Sequence, residues 1–164
     1  MHGVLDRRAS RRGMLRGSGL GALVFAVSCA AAEPAQALIV HRDPGCGCCH
    51  AWVAHMQQTP QFEASVRDEA DMPALKRRLG VPEDLASCHT AEIAGFIIEG
   101  HVPAADVRRL LRERPRGVVG LATPGMPLGS PGMEQTGGAR EAFDVFAFRA
   151  DGSREVFAHY VARD

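Results

Sequence analysis

The chain predicts a mixed α/β domain: a sheet flanked by helices, with an additional C-terminal β-hairpin. Three observations carry that prediction. A short β-branched run, Leu38 to His41, passes through a cysteine turn straight into a helical pattern. A later strand–turn–strand around Gly95 hands over at once to another helix. Two alternating runs near the C terminus face each other across Ala150-Asp151-Gly152-Ser153.

Taken in order, Leu38-Ile39-Val40-His41 is a strand ended by Asp43-Pro44-Gly45. From about Cys48 to Gln58 the period becomes helical. Cys49, Trp52, Val53 and Met56 fall at i, i+3, i+4 and i+7 as one apolar face, and Pro60 stops the helix. Phe62 to Arg67 alternates as a second strand. Met72 to Leu79 is a helix with Asp71 as N-cap and Gly80 as stop. Thr90 to His101 sets Ile93, Phe96, Ile97 and Ile98 around Gly95 as a tight hairpin. Pro103 to Arg114 is a helix with Val107, Leu110 and Leu111 turned inward. Residues 115–139 are crowded with Gly and Pro, and no regular structure is expected there. Phe143 to Phe148 and Glu155 to Val161 form the last hairpin. A strand, a cysteine turn, a helix, a strand, a helix, a hairpin and a helix make the layout of a thioredoxin-like sheet flanked by helices. The Gly/Pro-rich loop and the C-terminal β-hairpin are additions to it.

The first 37 of the 164 residues read differently. Ser10-Arg11-Arg12-Gly13-Met14-Leu15-Arg16 puts paired arginines ahead of a Gly/Ala-rich apolar run, and Ala35-Gln36-Ala37 supplies small residues for a signal peptidase. Residues 1–37 are thus expected to be a twin-arginine-type signal peptide and residues 38–164 the domain, placed in the periplasm. That export route carries folded proteins. The run is too short and too rich in glycine to span a membrane. Ala26-Val27-Ser28-Cys29 lacks the leucine of a lipoprotein cleavage box, so no lipid anchor at Cys29 is expected. Removing the leader takes five arginines and two acids, leaving 14 basic and 17 acidic residues. That balance points to no nucleic acid and no anionic membrane surface as partner.

Four cysteines remain: Cys46, Cys48, Cys49 and Cys88. A domain of this size can bury a core without disulfide staples, which leaves its thiols free for other work. Cys46-Gly47-Cys48-Cys49 contains a C-x-x-C where a helix begins. Unpaired N–H groups and the helix dipole there favour thiolate. Three features favour metal over thiol exchange. Cys48 crowds the spacer, where a third thiol invites dead-end disulfides. Ser87-Cys88-His89-Thr90 precedes the hairpin, and in a thioredoxin-like fold that loop lies against the cysteine turn. Met126 and Met133, each in a Pro-Gly-Met, sit seven apart where no helical stripe explains them. Thiolate and thioether sulfur suit Cu(I). Neighbouring side chains on a helix diverge by about 100°, so thiolates bridging several Cu(I) ions use Cys48 and Cys49 better than one ion does. His101 ends a strand and is a candidate ligand, or a group that orients one. His50 and His55 read as surface residues and Trp52 as core.

The stretches PGCGCCHAWVAHM, GVPEDLASCHTAEIAGFIIEGHVPAADVRRLL and GLATPGMPLGSPGME carry a resemblance. Over roughly residues 39–161 the chain resembles the CopG-like family of bacterial periplasmic copper-resistance proteins, long catalogued as a domain of unknown function. The resemblance implies a thioredoxin-like fold whose cysteines hold a thiolate-bridged copper cluster. Carried over residue by residue, Cys46, Cys48, Cys49 and Cys88 become ligands, with His89, His101, Met126 and Met133 as candidates to complete the cluster. It also implies copper handling in the periplasm, with cycling between Cu(I) and Cu(II), alongside other periplasmic copper-handling proteins.

The alternative reading is a thiol–disulfide oxidoreductase, with Cys46 as nucleophile and Cys49 as resolver. Against it stand the third cysteine and Ser87-Cys88-His89-Thr90, which has no proline where such enzymes place a cis-proline. A structural Cys46–Cys49 disulfide, an inert buried Cys88 and a zinc site are the remaining readings. The residues favour a metal-binding protein over an enzyme.

Overall fold

The structure, a computed structural model, describes residues 35–164. Cys29 and nearly all of the expected leader lie outside the described residues. Seven strands form one mixed sheet. They are β1 (Gln36–Arg42), β2 (Phe62–Asp68), β3 (His89–Ile93), β4 (Phe96–Gly100), β5 (Val118–Thr123), β6 (Phe143–Arg149) and β7 (Arg154–Tyr160). Three helices accompany them: α1 (Gly47–Gln57), α2 (Met72–Arg78) and α3 (Ala104–Glu113). The strand order is β2-β1-β3-β4-β5-β6-β7. β1 runs parallel to β2 and antiparallel to β3, and β3 and β4 form a hairpin. That is the expected thioredoxin-like core. β5 then adds parallel to β4, and β6 and β7 follow antiparallel. The expected cleavage after Ala37 would fall inside β1, where Gln36 and Ala37 pair with Phe62 and Glu63.

Local chemistry accounts for most boundaries. Asp71 caps α2 by accepting from the Ala74 N–H at 2.9 Å. Ala94 and Gly95, both at positive φ, make the tight turn between β3 and β4. The α1 face is the expected one: Cys49, Trp52, Val53 and Met56 are its buried residues. Trp52, Val53 and Met56 pack with Leu38 and Val40 of β1, Ile98 of β4 and Val107 and Leu110 of α3 in the main core. Leu111 is half-buried against it. Leu121 belongs to this core and Ala122 to a smaller cluster with Leu85 and Phe148. Adjacent strand residues point to opposite faces, so both faces of β5 are covered.

One expectation is overturned. The stretch 115–139 does contain regular structure, because β5 lies within it. Its glycines are not all turn glycines. A Cβ on Gly120 would stand 2.2 Å from the Ile97 carbonyl oxygen and 2.6 Å from the Phe148 ring. Glycine there lets β4 and the Phe148 side chain close on the strand.

Candidate metal centre

The candidate ligands gather at one end of the sheet because several strand ends meet there. Arg42, the last residue of β1, pairs with His89, the first of β3. Gly100, the last of β4, pairs with Thr123, the last of β5. The cysteine turn follows β1, Cys88 precedes β3, His101 follows β4 and Met126 follows β5. Ser87 bridges to Gly125, and the Gly125 N–H donates to the Ala86 carbonyl at 3.3 Å. The Cys88 segment and the methionine loop are therefore sewn together.

Four cysteine sulfurs converge, all within 4.8 Å of one another. Cys48 Sγ lies 3.6 Å from Cys46 Sγ and 3.7 Å from Cys88 Sγ. Cys49 Sγ lies 3.6 Å from Cys88 Sγ. Met126 Sδ stands 3.8 Å from Cys48 Sγ. Cys46 and Cys49 are joined as a disulfide, while Cys48 and Cys88 are free. In this state only two of the four sulfurs can become thiolates. Burial, followed by the neighbouring Cys48, pushes the Cys88 thiol up to about 12. A metal taking Cys88 must therefore displace a proton. Met133 lies in the same loop, half-buried. Its main chain makes the contacts there, the carbonyl accepting from Gly129 N–H at 2.7 Å and the N–H donating to Ser130 at 2.8 Å.

Two buried histidines stand behind Cys88. His101 Nδ1 lies 2.8 Å from the Pro131 carbonyl. A carbonyl only accepts, so Nδ1 carries the proton. Burial lowers the His101 pKa, which keeps the ring neutral. Nε2 therefore presents a lone pair, and it faces Cys88 Sγ at 3.1 Å. A backbone carbonyl that fixes the tautomer of a ligating imidazole is a recurrent feature of metal sites. His89 Nδ1 sits 3.2 Å from Cys88 Sγ, and its Nε2 is buried with no hydrogen-bond partner. Its ring packs 4.4 Å from Trp52 and 5.1 Å from His101. Burial, with His101 and Lys76 nearby, holds the His89 pKa well below the usual range. Trp52 is fully buried, as expected, and its Nε1–H donates to the Val102 carbonyl at 2.9 Å. His50 is exposed, but His55 is half-buried, and its Nε2 accepts from the Ala104 N–H at the start of α3.

Residues outside the expected set hold this arrangement. Glu99, fully buried, accepts from the Ser87 N–H at 2.6 Å, the Thr90 hydroxyl at 2.6 Å and Lys76 Nζ at 2.5 Å. Lys76 also donates to Thr90 Oγ1 at 2.8 Å. This network fixes both flanks of Cys88-His89. The signal available in the sequence was an acid embedded in Phe96-Ile97-Ile98-Glu99. Gly132 is a second such residue. At φ +86°, a Cβ there would stand 2.6 Å from the Trp52 backbone N and 3.0 Å from the Cys48 carbonyl. Its missing side chain lets the methionine loop rest on the first turn of α1.

The model of a protein family of unknown function, DUF411, matches residues 85–133. Two solved structures of a copper resistance protein CopG, forms 1 and 2, match with a TM-score of 0.72 each. They are 46% and 48% identical to this chain, which covers 99% of each of them, over 79% and 78% of its own length. No curated protein matches it.

Proposed function

This chain belongs to the CopG-like family of copper-resistance proteins, and we propose that it is a periplasmic Cu(I)-binding protein of that resistance type. In this reading Cys46, Cys48, Cys49 and Cys88, once reduced, bridge several Cu(I) ions as thiolates. His101 Nε2 and Met126 Sδ complete the cluster, His89 lines it, and Met133 is retained on its sequence pattern and the resemblance. The leader exports the chain by the twin-arginine route, and other periplasmic copper-handling proteins supply or receive the metal. The observation that carries the reading is the convergence of four cysteine sulfurs from two chain segments within 4.8 Å. Soft sulfur donors in that number favour Cu(I). A thiolate site of this kind suits sequestration, or interconversion of Cu(I) and Cu(II).

Anaerobic Cu(I) titration of the fully reduced protein, in competition with zinc, tests it. About three or four copper ions per chain are expected, as bridging thiolates allow. Cys88→Ser, which removes the sulfur nearest both histidines, is expected to abolish most of that capacity. A reduced protein that binds one copper ion or none, or a Cys88→Ser protein with full capacity, contradicts the reading.

The Cys46–Cys49 disulfide at the start of α1 favours a second reading, a thiol–disulfide oxidoreductase. Reduction of insulin disulfides by the copper-free protein at an enzymatic rate would establish it.

A further inference from the structure

The disulfide lies inside the proposed ligand set, and what it leaves behind is itself a site. We infer that oxidation of Cys46 and Cys49 does not end copper binding but converts the centre to a one-ion Cu(I) site made by Cys48, Cys88, His101 and Met126. This rests on the copper reading above and adds a redox-dependent capacity to it.

Three donor separations in the disulfide form support the site, while Cys48 and His101 belong to separate donor groups that share Cys88, so the entering ion must draw them together. A tetrahedral ion about 2.3 Å from two sulfurs sets them about 3.8 Å apart, and a sulfur and an imidazole nitrogen about 3.6 Å apart. Cys48 Sγ and Cys88 Sγ are 3.7 Å apart, and Cys48 Sγ and Met126 Sδ are 3.8 Å apart. Cys88 Sγ and His101 Nε2, at 3.1 Å, need open by only a few tenths of an ångström. The His101 lone pair already faces the sulfur, because the Pro131 carbonyl holds the proton on Nδ1. Two thiolates, a thioether and an imidazole form a soft donor set, suited to Cu(I).

Charge then gives the stoichiometry. With two thiolates and one Cu(I), the disulfide form has a net charge of −1 at the centre. Four thiolates reach the same −1 only with three Cu(I) ions. Because a partly buried site tolerates little uncompensated charge, capacity follows the thiolate count. The disulfide form thus holds about two fewer copper ions than the dithiol form. The interconversion is a two-electron step. The Cys46 and Cys49 thiolates each give one electron to a Cu(II) ion from solution, the S–S bond forms, and the two Cu(I) ions they held leave together with the two Cu(I) ions produced.

The test compares Cu(I) alone, delivered anaerobically with a chromophoric Cu(I) chelator as competitor, on two forms of the full protein. One form is fully reduced, and the other has the Cys46–Cys49 disulfide verified by peptide mass. The expected result is one ion per chain in the disulfide form and about two more in the reduced form. Cys48→Ser and His101→Gln should each weaken the one-ion site at least tenfold. The Cys46→Ser/Cys49→Ser double variant should also bind one ion, which separates loss of thiolates from any strain due to the disulfide. A disulfide form that binds no copper, or as much as the reduced form, overturns this inference and leaves the copper reading standing. A reduced form that binds one copper ion or none overturns the copper reading itself.

Discussion

Around Cys88, the inner and outer sides of the sulfur pocket are built differently. His89, His101, Trp52 and Glu99 on the inner side are all fully buried. Their positions follow from hydrogen bonds to the main chain and from ring packing. On the outer side Met126 is 51% exposed and Leu128 42% exposed. That side is held mainly by backbone contacts, through Ser87 with Gly125 and through Gly132 on α1. The contrast separates two tasks. The inner side fixes where Cys88 and the His101 lone pair point, and the outer side leaves a soft donor within reach of solvent.

The sharpest way to break the contrast is to cut the inner network. Glu99→Ala would leave Lys76 buried with Thr90 as its remaining partner and release the Ser87 N–H. Breaking a buried pair by removing one partner costs about 3–5 kcal/mol, a loss that denaturant unfolding of the metal-free protein should show. A loss below about 1 kcal/mol would mean that this network does not hold the inner side.

Acid offers a smaller, graded test. His89 is neutral in the fold and its folded pKa is lowered, so between that pKa and the unfolded value the unfolded chain binds more protons. Its contribution is thus unfavourable as pH falls below about 6.5, by about 1.4 kcal/mol per pH unit. His89→Phe removes that titration. Between pH 7 and 5 the metal-free variant should lose less stability than the unaltered protein, and parallel curves would refute this account of the inner side.

The outer side should give the smallest effect. Met126→Leu keeps the shape and removes the thioether. Stability should change by no more than about 0.5 kcal/mol, as for most exposed positions. Cu(I) affinity should fall by about tenfold, or about 1.4 kcal/mol. A large stability loss would show that Met126 supports the fold rather than serving as a donor.

The two sides also differ in how far the sequence disclosed them. Local signals were legible: the α1 face, the Asp71 cap, the Ala94-Gly95 turn and the last hairpin all depend on residues close in the chain. β5 was hidden because Gly117 and Gly120, with Pro115 and Pro124 at its ends, outweighed the apolar run between them. Glycine in a strand and glycine in a turn look alike until the neighbouring strand is in place. The candidate donors announced themselves by residue type. What orients them did not, since the Pro131 carbonyl, Lys76 and Glu99 reach the site from other segments. His55, read as a surface residue, caps α3 from 49 positions away. The oxidation state of Cys46 and Cys49 depends on conditions as much as on residue order.

The span of the donors along the chain has a consequence for how long the protein lasts. Cys49 and Cys88 are 39 positions apart, and Cys48 and Met126 are 78 apart. An ion held among them ties the first helix to the loop beyond β5, and no unfolded chain offers that arrangement. A ligand that binds only the folded state stabilises it by about 4.1 kcal/mol at a thousand times its dissociation constant. Loaded molecules would then open to proteases far less often than empty ones. Abundance would rise with supply through slower degradation, without any change in synthesis.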